Sequence, residues 1–294
     1  MKTFDYFLPT CILAMCVSLF VACSSDDDNE NDPTPPGSGT IGFITSIADP
    51  DATSYFEYDN GVMTGGIDGY WGDFTIQRNP LLITSRYEDM YELVSLDFKE
   101  IKTNEKGFIT SALITTKETG YEDDYHHEST GRITAEYDKN GYLTKFEQKT
   151  NDGGGILTCT WVKGNLVKLQ HTWEWKTKDG KIDDAGSEIF TLTYPGDAPV
   201  NSGIYVMGEA ILEAGFPDFL WYAGLLGKPT KNLPTMIKQE SRYWSDYNSP
   251  ETGEDTDYYH VSYDKKGRVS VLYRENRPYL TVAYDGGTAV LPKN

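Results

Sequence analysis

From Ile41 onward, apolar and polar residues alternate in short runs with period two, the spacing of half-buried β-strands. Arg132–Tyr137 places Ile133, Ala135 and Tyr137 on one face, and Val269, Val271 and Tyr273 are expected to do the same near the end. Trp161, Leu169, His171, Trp173 and Trp175 share odd positions around Gly164, which predicts a common face. The run Glu188–Tyr194 stops at Pro195-Gly196, as a strand should. Between the runs recurs a turn of the form Tyr-Asp-x-x-Gly-x-apolar, clearest at Tyr137–Leu143 and Tyr263–Val269, one residue shorter at Tyr58–Val62. Weaker relatives surround Gly107, Gly164, Gly180 and Gly286. Aspartate accepts bonds from nearby backbone amides and glycine supplies a positive φ, so each copy predicts a hairpin tip. Only Tyr205–Gly227 breaks the rhythm. Asp218 is a candidate N-cap after Pro217, and Phe219, Tyr222, Leu225 and Leu226 carry helical spacing suited to pressing on a sheet or plugging a barrel. The fold class expected is therefore mainly β: an antiparallel up-and-down meander curling into an open or closed barrel-like sheet, with one short helical excursion at about 208–226.

The opening residues follow another pattern. A largely apolar stretch from Phe7 to Ala22 ends in small residues before Cys23, with no basic stop-transfer cluster after it, which predicts a secretory signal over 1–22. Phe20-Val21-Ala22-Cys23 resembles the lipobox of bacterial lipoproteins, in which the cysteine thiol is alkylated with diacylglycerol; the competing reading is an ordinary signal with an incidental cysteine. Acyl chains at about 0.8 kcal/mol per buried methylene would hold such a protein on a membrane. Residues 23–40, rich in Asp, Pro and Gly, bury too little to offset their ordering entropy and are read as an acidic flexible tether. A single β-rich domain is expected over 41–294. With the signal removed, Cys23 and Cys159 remain and no intramolecular disulfide is available. The net charge of −19, from 45 acids against 26 bases, opposes nucleic acid as a partner.

The lipobox, the tether, the serial Tyr-Asp-x-x-Gly turns and the segment Gly224–Pro234 together resemble a family of Bacteroides-group lipoproteins classed as a domain of unknown function with a porin-like fold. The resemblance is strongest from about Thr110 to the end and weakest over Ile41–Lys99. It implies a fold and an outer-membrane location at the cell surface, with the periplasmic face as the alternative, and carries over no catalytic residue. A bilayer-spanning barrel fits poorly, because lipid-facing strands need an apolar outward face and charges are read on both parities, as in Lys145–Lys149. Porin-like is thus expected to mean a curved or closed sheet outside the bilayer.

Candidate chemistry is sparse. No Gly-x-Ser-x-Gly nucleophile elbow is present. Cys159 lies in a strand-like run without an adjacent base and reads as a core residue. Tyr121–Glu128 gathers acids with His126 and His127, but neighbours on a strand point to opposite faces, so a solvated hairpin loop is preferred over a metal site. Asp246, Glu251, Glu254, Asp255 and Asp257 read as an acidic loop. No metal and no cofactor is expected. Aromatic residues are the usable hint: flat indole faces stack on sugars or peptides while tyrosines and acids hydrogen-bond around them. Trp244, Tyr243, Tyr247, Trp173 and Trp175 are the candidate ligand-binding residues, and Cys23 the lipidation site. The function expected is a non-enzymatic, lipid-anchored envelope protein that binds a glycan or a protein partner. A carboxylate-dependent glycoside hydrolase and a purely structural envelope component are the alternatives.

Overall fold

The computed structural model describes residues 43–88, 92–121, 126–151, 153–177, 180–205, 217, 219–245, 248–287 and 289. The expected signal, Cys23, the tether, Asp218 and Tyr247 lie outside them, as does 208–216 of the predicted helical stretch. The strands are β1 (Ile44–Ala48), β2 (Thr53–Asp59), β3 (Val62–Asp68), β4 (Gly72–Arg78), β5 (Leu81–Glu88), β6 (Glu92–Thr103), β7 (Ile109–Gly120), β8 (His126–Tyr137), β9 (Leu143–Thr150), β10 (Gly153–Val162), β11 (Asn165–Lys176), β12 (Ile182–Thr193), β13 (Met236–Ser245), β14 (Asn248–Tyr263), β15 (Val269–Arg274) and β16 (Arg277–Tyr284). One turn of helix, α1 (Phe219–Tyr222), lies between β12 and β13. Each strand pairs antiparallel with its sequence neighbours, and β1 pairs with β16 through Ile44↔Tyr284 and Ala48↔Thr281, closing a sixteen-stranded barrel. Closure leaves no sheet edge to be paired by another chain.

Successive residues alternate between lumen and outer wall. In β8, Ile133 (0% exposed) and Ala135 (6%) face the core while Glu128, Arg132 and Glu136 are exposed. All five odd-position residues around Gly164 share the inward parity, the two strands being in register from Cys159↔Leu169 to Gly153↔Trp175. Two expectations change. Val269, Val271 and Tyr273 do not share a face, because the pairing slips between Ser262 and Tyr263; Leu272 takes the core position, and Tyr273 stacks on exposed His260 at 4.6 Å. The acidic stretch 248–257 is strand rather than loop: β14 continues β13 by backbone pairing through Arg242↔Thr252, and Lys238 bridges Glu240 (3.0 Å) and Glu254 (3.1 Å), offsetting its charge.

Most copies of the turn motif follow even-numbered strands, and in an up-and-down barrel those strand ends share one rim. The turns after β2, β6, β8, β10 and β14 all lie there; the Gly180 turn, after β11, lies on the opposite rim. The aspartate does what its chemistry predicts: Asp138 Oδ1 accepts the amides of Asn140 (3.0 Å) and Tyr142 (2.8 Å), and Asp264 Oδ1 those of Lys266 (2.8 Å) and Arg268 (2.9 Å). Gly141, at φ 93°, turns the chain where an L residue would be strained. In three copies, though not at Tyr263, which is 51% exposed, the tyrosine has a role that local reasoning does not reveal. Tyr58, Tyr137 and Tyr284 donate to the carbonyls of Ile44 (2.7 Å), Ile109 (2.7 Å) and Val269 (3.0 Å), each the first residue of the preceding strand. Tyr194 reaches Leu166 (2.8 Å) similarly, and Trp161 donates its Nε1 to Leu143 (2.7 Å). A girdle of aromatic donors thus ties adjacent strands inside this rim, and burial pushes the Tyr58, Tyr194 and Tyr284 hydroxyls up to about 12.

A barrel of this strand number encloses more space than its own side chains fill. The chain between β12 and β13 enters from the girdled rim and occupies part of it. Phe219 stacks on Phe74 at 4.1 Å and 6°, Tyr222 on Phe56 at 5.3 Å, and Leu220, Leu225 and Leu226 are fully buried. The plug is pinned by backbone bonds from Ile109 to Leu225 O (2.8 Å), Lys228 to Gly141 O (3.1 Å) and Lys231 to Gly164 O (2.8 Å). The plugging role anticipated for Phe219, Tyr222, Leu225 and Leu226 holds, although the described helix is a single turn.

Candidate functional site

Polar side chains collect on the inward wall of β9–β13. Glu188 on β12 shares the inward parity with Phe190 and Leu192 and is wholly buried. It faces His171 on β11 and Ser241 on β13 across the pairing. Its Oε1 accepts bonds from the Tyr243 hydroxyl and from Gln239 Nε2 (3.0 Å). Its Oε2 has no hydrogen-bond partner among the described residues and lies 4.0 Å from His171 Nδ1, which also has none. Burial lowers the pKa of His171 against the attraction of Glu188, so the imidazole is neutral at neutral pH. Gln148 on β9, also inward, adds a further unpartnered carbonyl oxygen. Three buried polar atoms of this wall, Glu188 Oε2, His171 Nδ1 and Gln148 Oε1, are thus without hydrogen-bond partners among the described residues.

Aromatic faces lie beside it. Trp173 stacks on His171 at 4.8 Å, approaches Tyr243 at 5.5 Å and donates its Nε1 to Asp184 Oδ2 (2.9 Å). Gly186, paired with both Trp173 and Tyr243, makes room for the indole: a Cβ there would sit 2.2 Å from Trp173 Cζ2. Gly153 and Gly155 leave the inward side of β10 without side chains opposite Trp175 and Trp173.

The aromatic candidates therefore divide. Trp173, Trp175 and Tyr243 belong to the inward wall and Trp173 and Tyr243 join the Glu188 cluster. Trp244 takes the outward parity with Lys238, Glu240 and Arg242, paired to Ala185. Tyr247 lies outside the described residues. Glu188, Gln239 and Gln148 were missed by sequence reading; the available signal was an acid on the same parity as Phe190 and Leu192, where burial rather than solvation is its fate. Cys159 is a core residue, its thiol pushed up to about 12 by burial. His126 is exposed and follows the opposite parity from His127, which pairs with Glu118. Among the described residues no cluster of His, Cys, Asp or Glu is arranged to hold a metal ion.

The outer wall is charged. Lys145, Glu147 and Lys149 share one outward face, opposed by Glu136, Thr134 and Arg132, while Phe146 and Gln148 point inward. The charges of this stretch thus lie on one parity rather than two, and that parity is the outside.

The barrel is similar to a porin-like protein from Bacteroides uniformis (18% identity, TM-score 0.47, covering 82% of this chain and 98% of that one). It is also similar to one from Bacteroides vulgatus (10% identity, TM-score 0.47, covering 83% and 99%). No curated protein matches the chain. The family described as a domain of unknown function (DUF4595) with porin-like fold matches residues 81–271, beginning earlier than the turn motifs alone suggested. The chain belongs to that family of porin-like domains of unknown function.

Proposed function

We propose that the protein is a lipid-anchored component of the bacterial envelope, tethered through Cys23 at the outer membrane, whose barrel stands in water and binds a neutral, hydroxyl-rich glycan on the inward wall of β9–β13. The observation that carries the binding role is Glu188: a wholly buried carboxylate whose Oε1 takes two bonds and whose Oε2 has no partner among the described residues, beside the equally unpartnered His171 Nδ1 and the Trp173 ring. Unused acceptors and donors next to an aromatic face are what a sugar satisfies, hydroxyls to the polar atoms and the apolar ring face to the indole. At this wall an anionic ligand would be repelled by Glu188 and Asp184. Water around the barrel is supported by the outward charges of β8, β9 and β13, each of which would cost about 2–4 kcal/mol for Lys or Arg at a bilayer midplane.

Cys23→Ala tests both halves. The variant is expected in the soluble fraction, folded, and to bind a subset of a glycan array; a second substitution, Trp173→Ala, is expected to abolish that binding. Retention of Cys23→Ala in the membrane fraction would refute the anchor, and an array signal indifferent to Trp173 would refute the site.

A further inference from the structure

On the girdled rim, far along the chain pairing from the Glu188 wall, the plug and β1–β4 leave a cavity of about 530 Å³, within the range of small-molecule sites. Its walls are apolar and aromatic: Tyr58, Met63, Trp221 and Tyr222 contribute to it, with Phe43 at 52% exposure by the entrance. Among the described lining residues there is one cation, Arg78, and no acid, in a chain where acids outnumber bases 45 to 26. Arg78 takes the inward parity after Phe74 and Ile76, at the last position of β4. It spends one nitrogen on Ala223 O (3.2 Å) and has no carboxylate within ion-pair distance among the described residues. Partial burial lowers its pKa, yet a guanidinium stays charged at any physiological pH. Trp221, 3% exposed, lines the same cavity with an Nε1 that has no hydrogen-bond partner among the described residues.

We infer that this cavity binds a small amphiphile with a single anionic head, a carboxylate or its equivalent, seated so that the head meets Arg78 at the rim and the hydrocarbon body enters between the aromatic walls. The exposed position of Arg78 suits a head group that keeps part of its hydration, and the planar guanidinium suits a two-oxygen anion. A neutral sugar would leave the apolar walls unsatisfied, and a cation would meet Arg78 with no acid to offset it. This reading is independent of the glycan site, because no lining residue is shared between them.

The test is calorimetric titration of Cys23→Ala protein with decanoate, below its micellar concentration, and with decanol as the uncharged counterpart. One saturable decanoate site is expected, with decanol weaker by about tenfold or more. Arg78→Gln is expected to weaken decanoate by a similar factor and leave decanol unchanged, whereas Arg78→Lys should retain most of the decanoate affinity. Absence of saturable binding, equal affinity for acid and alcohol, or decanoate binding indifferent to Arg78→Gln in a protein that melts normally would each overturn the proposal. Arg78→Lys behaving like Arg78→Gln would overturn the role of charge.

Discussion

Replacing Gly186 by alanine adds one methyl group to the inward face of β12 and measures how tightly the Trp173 ring is seated. The added carbon would stand 2.2, 2.5 and 2.7 Å from Trp173 Cζ2, Cη2 and Cε2, so the ring has to move. Moving it surrenders the 2.9 Å bond from Nε1 to Asp184 and the stack on His171. Overpacking of this kind costs about 1–3 kcal/mol, and the lost hydrogen bond about 1 kcal/mol. Relieving the chain of a strand glycine returns about 0.5–1 kcal/mol. The net expectation is a loss of about 1–3 kcal/mol, or a fall in Tm on the order of 2–12 °C for a domain of this size. Thermal melts followed by circular dichroism give the stability, and tryptophan emission reports the displaced ring. Glycan binding should fall with it. A variant that melts like the parent with an unchanged tryptophan spectrum would show that the indole does not lie over Gly186, and the aromatic floor of the site would be wrong.

Gly141→Val is expected to lower Tm by strain at φ 93° and by a Cβ 2.8 Å from Phe108 Cε2; an unchanged melt would count against the hairpin tip. Tyr137→Phe removes the bond to Ile109 O and should cost about 0.5–1.5 kcal/mol in chemical denaturation, with Tyr263→Phe, on a tyrosine 51% exposed, as the neutral comparison. His171 titrates lower in the folded barrel than its ordinary value of about 6.5. The unfolded chain therefore takes up the proton first, and stability present above about pH 6.5 is lost as pH falls through the folded value. His171→Gln should flatten that part of the Tm against pH curve, and an unaltered curve would show that another group carries it.

Period-two alternation and the glycine turns made antiparallel strands and hairpins legible in the chain, because each depends on the chemistry of residues within a few positions of one another. Asp138 and Asp264 bind amides two and four residues away, so their role needs no tertiary structure to be seen. The plug was legible in part, since the spacing of Phe219, Tyr222, Leu225 and Leu226 declares an apolar face without saying what it meets. Closure through β1 and β16 was not legible, because it joins segments at opposite ends of the chain and depends on accumulated twist and register. Register decided the rest. A slip between Ser262 and Tyr263 moved Tyr273 to the outer wall, and strict alternation sent Trp244 outward while Tyr243 turned inward to Glu188. The Glu188–His171 pair and the aromatic cavity around Arg78 bring together residues from separate strands, so their chemistry exists only when the barrel and its plug are assembled. Local sequence determines which way the backbone turns and which residues alternate; long-range pairing alone determines which buried groups are left facing one another.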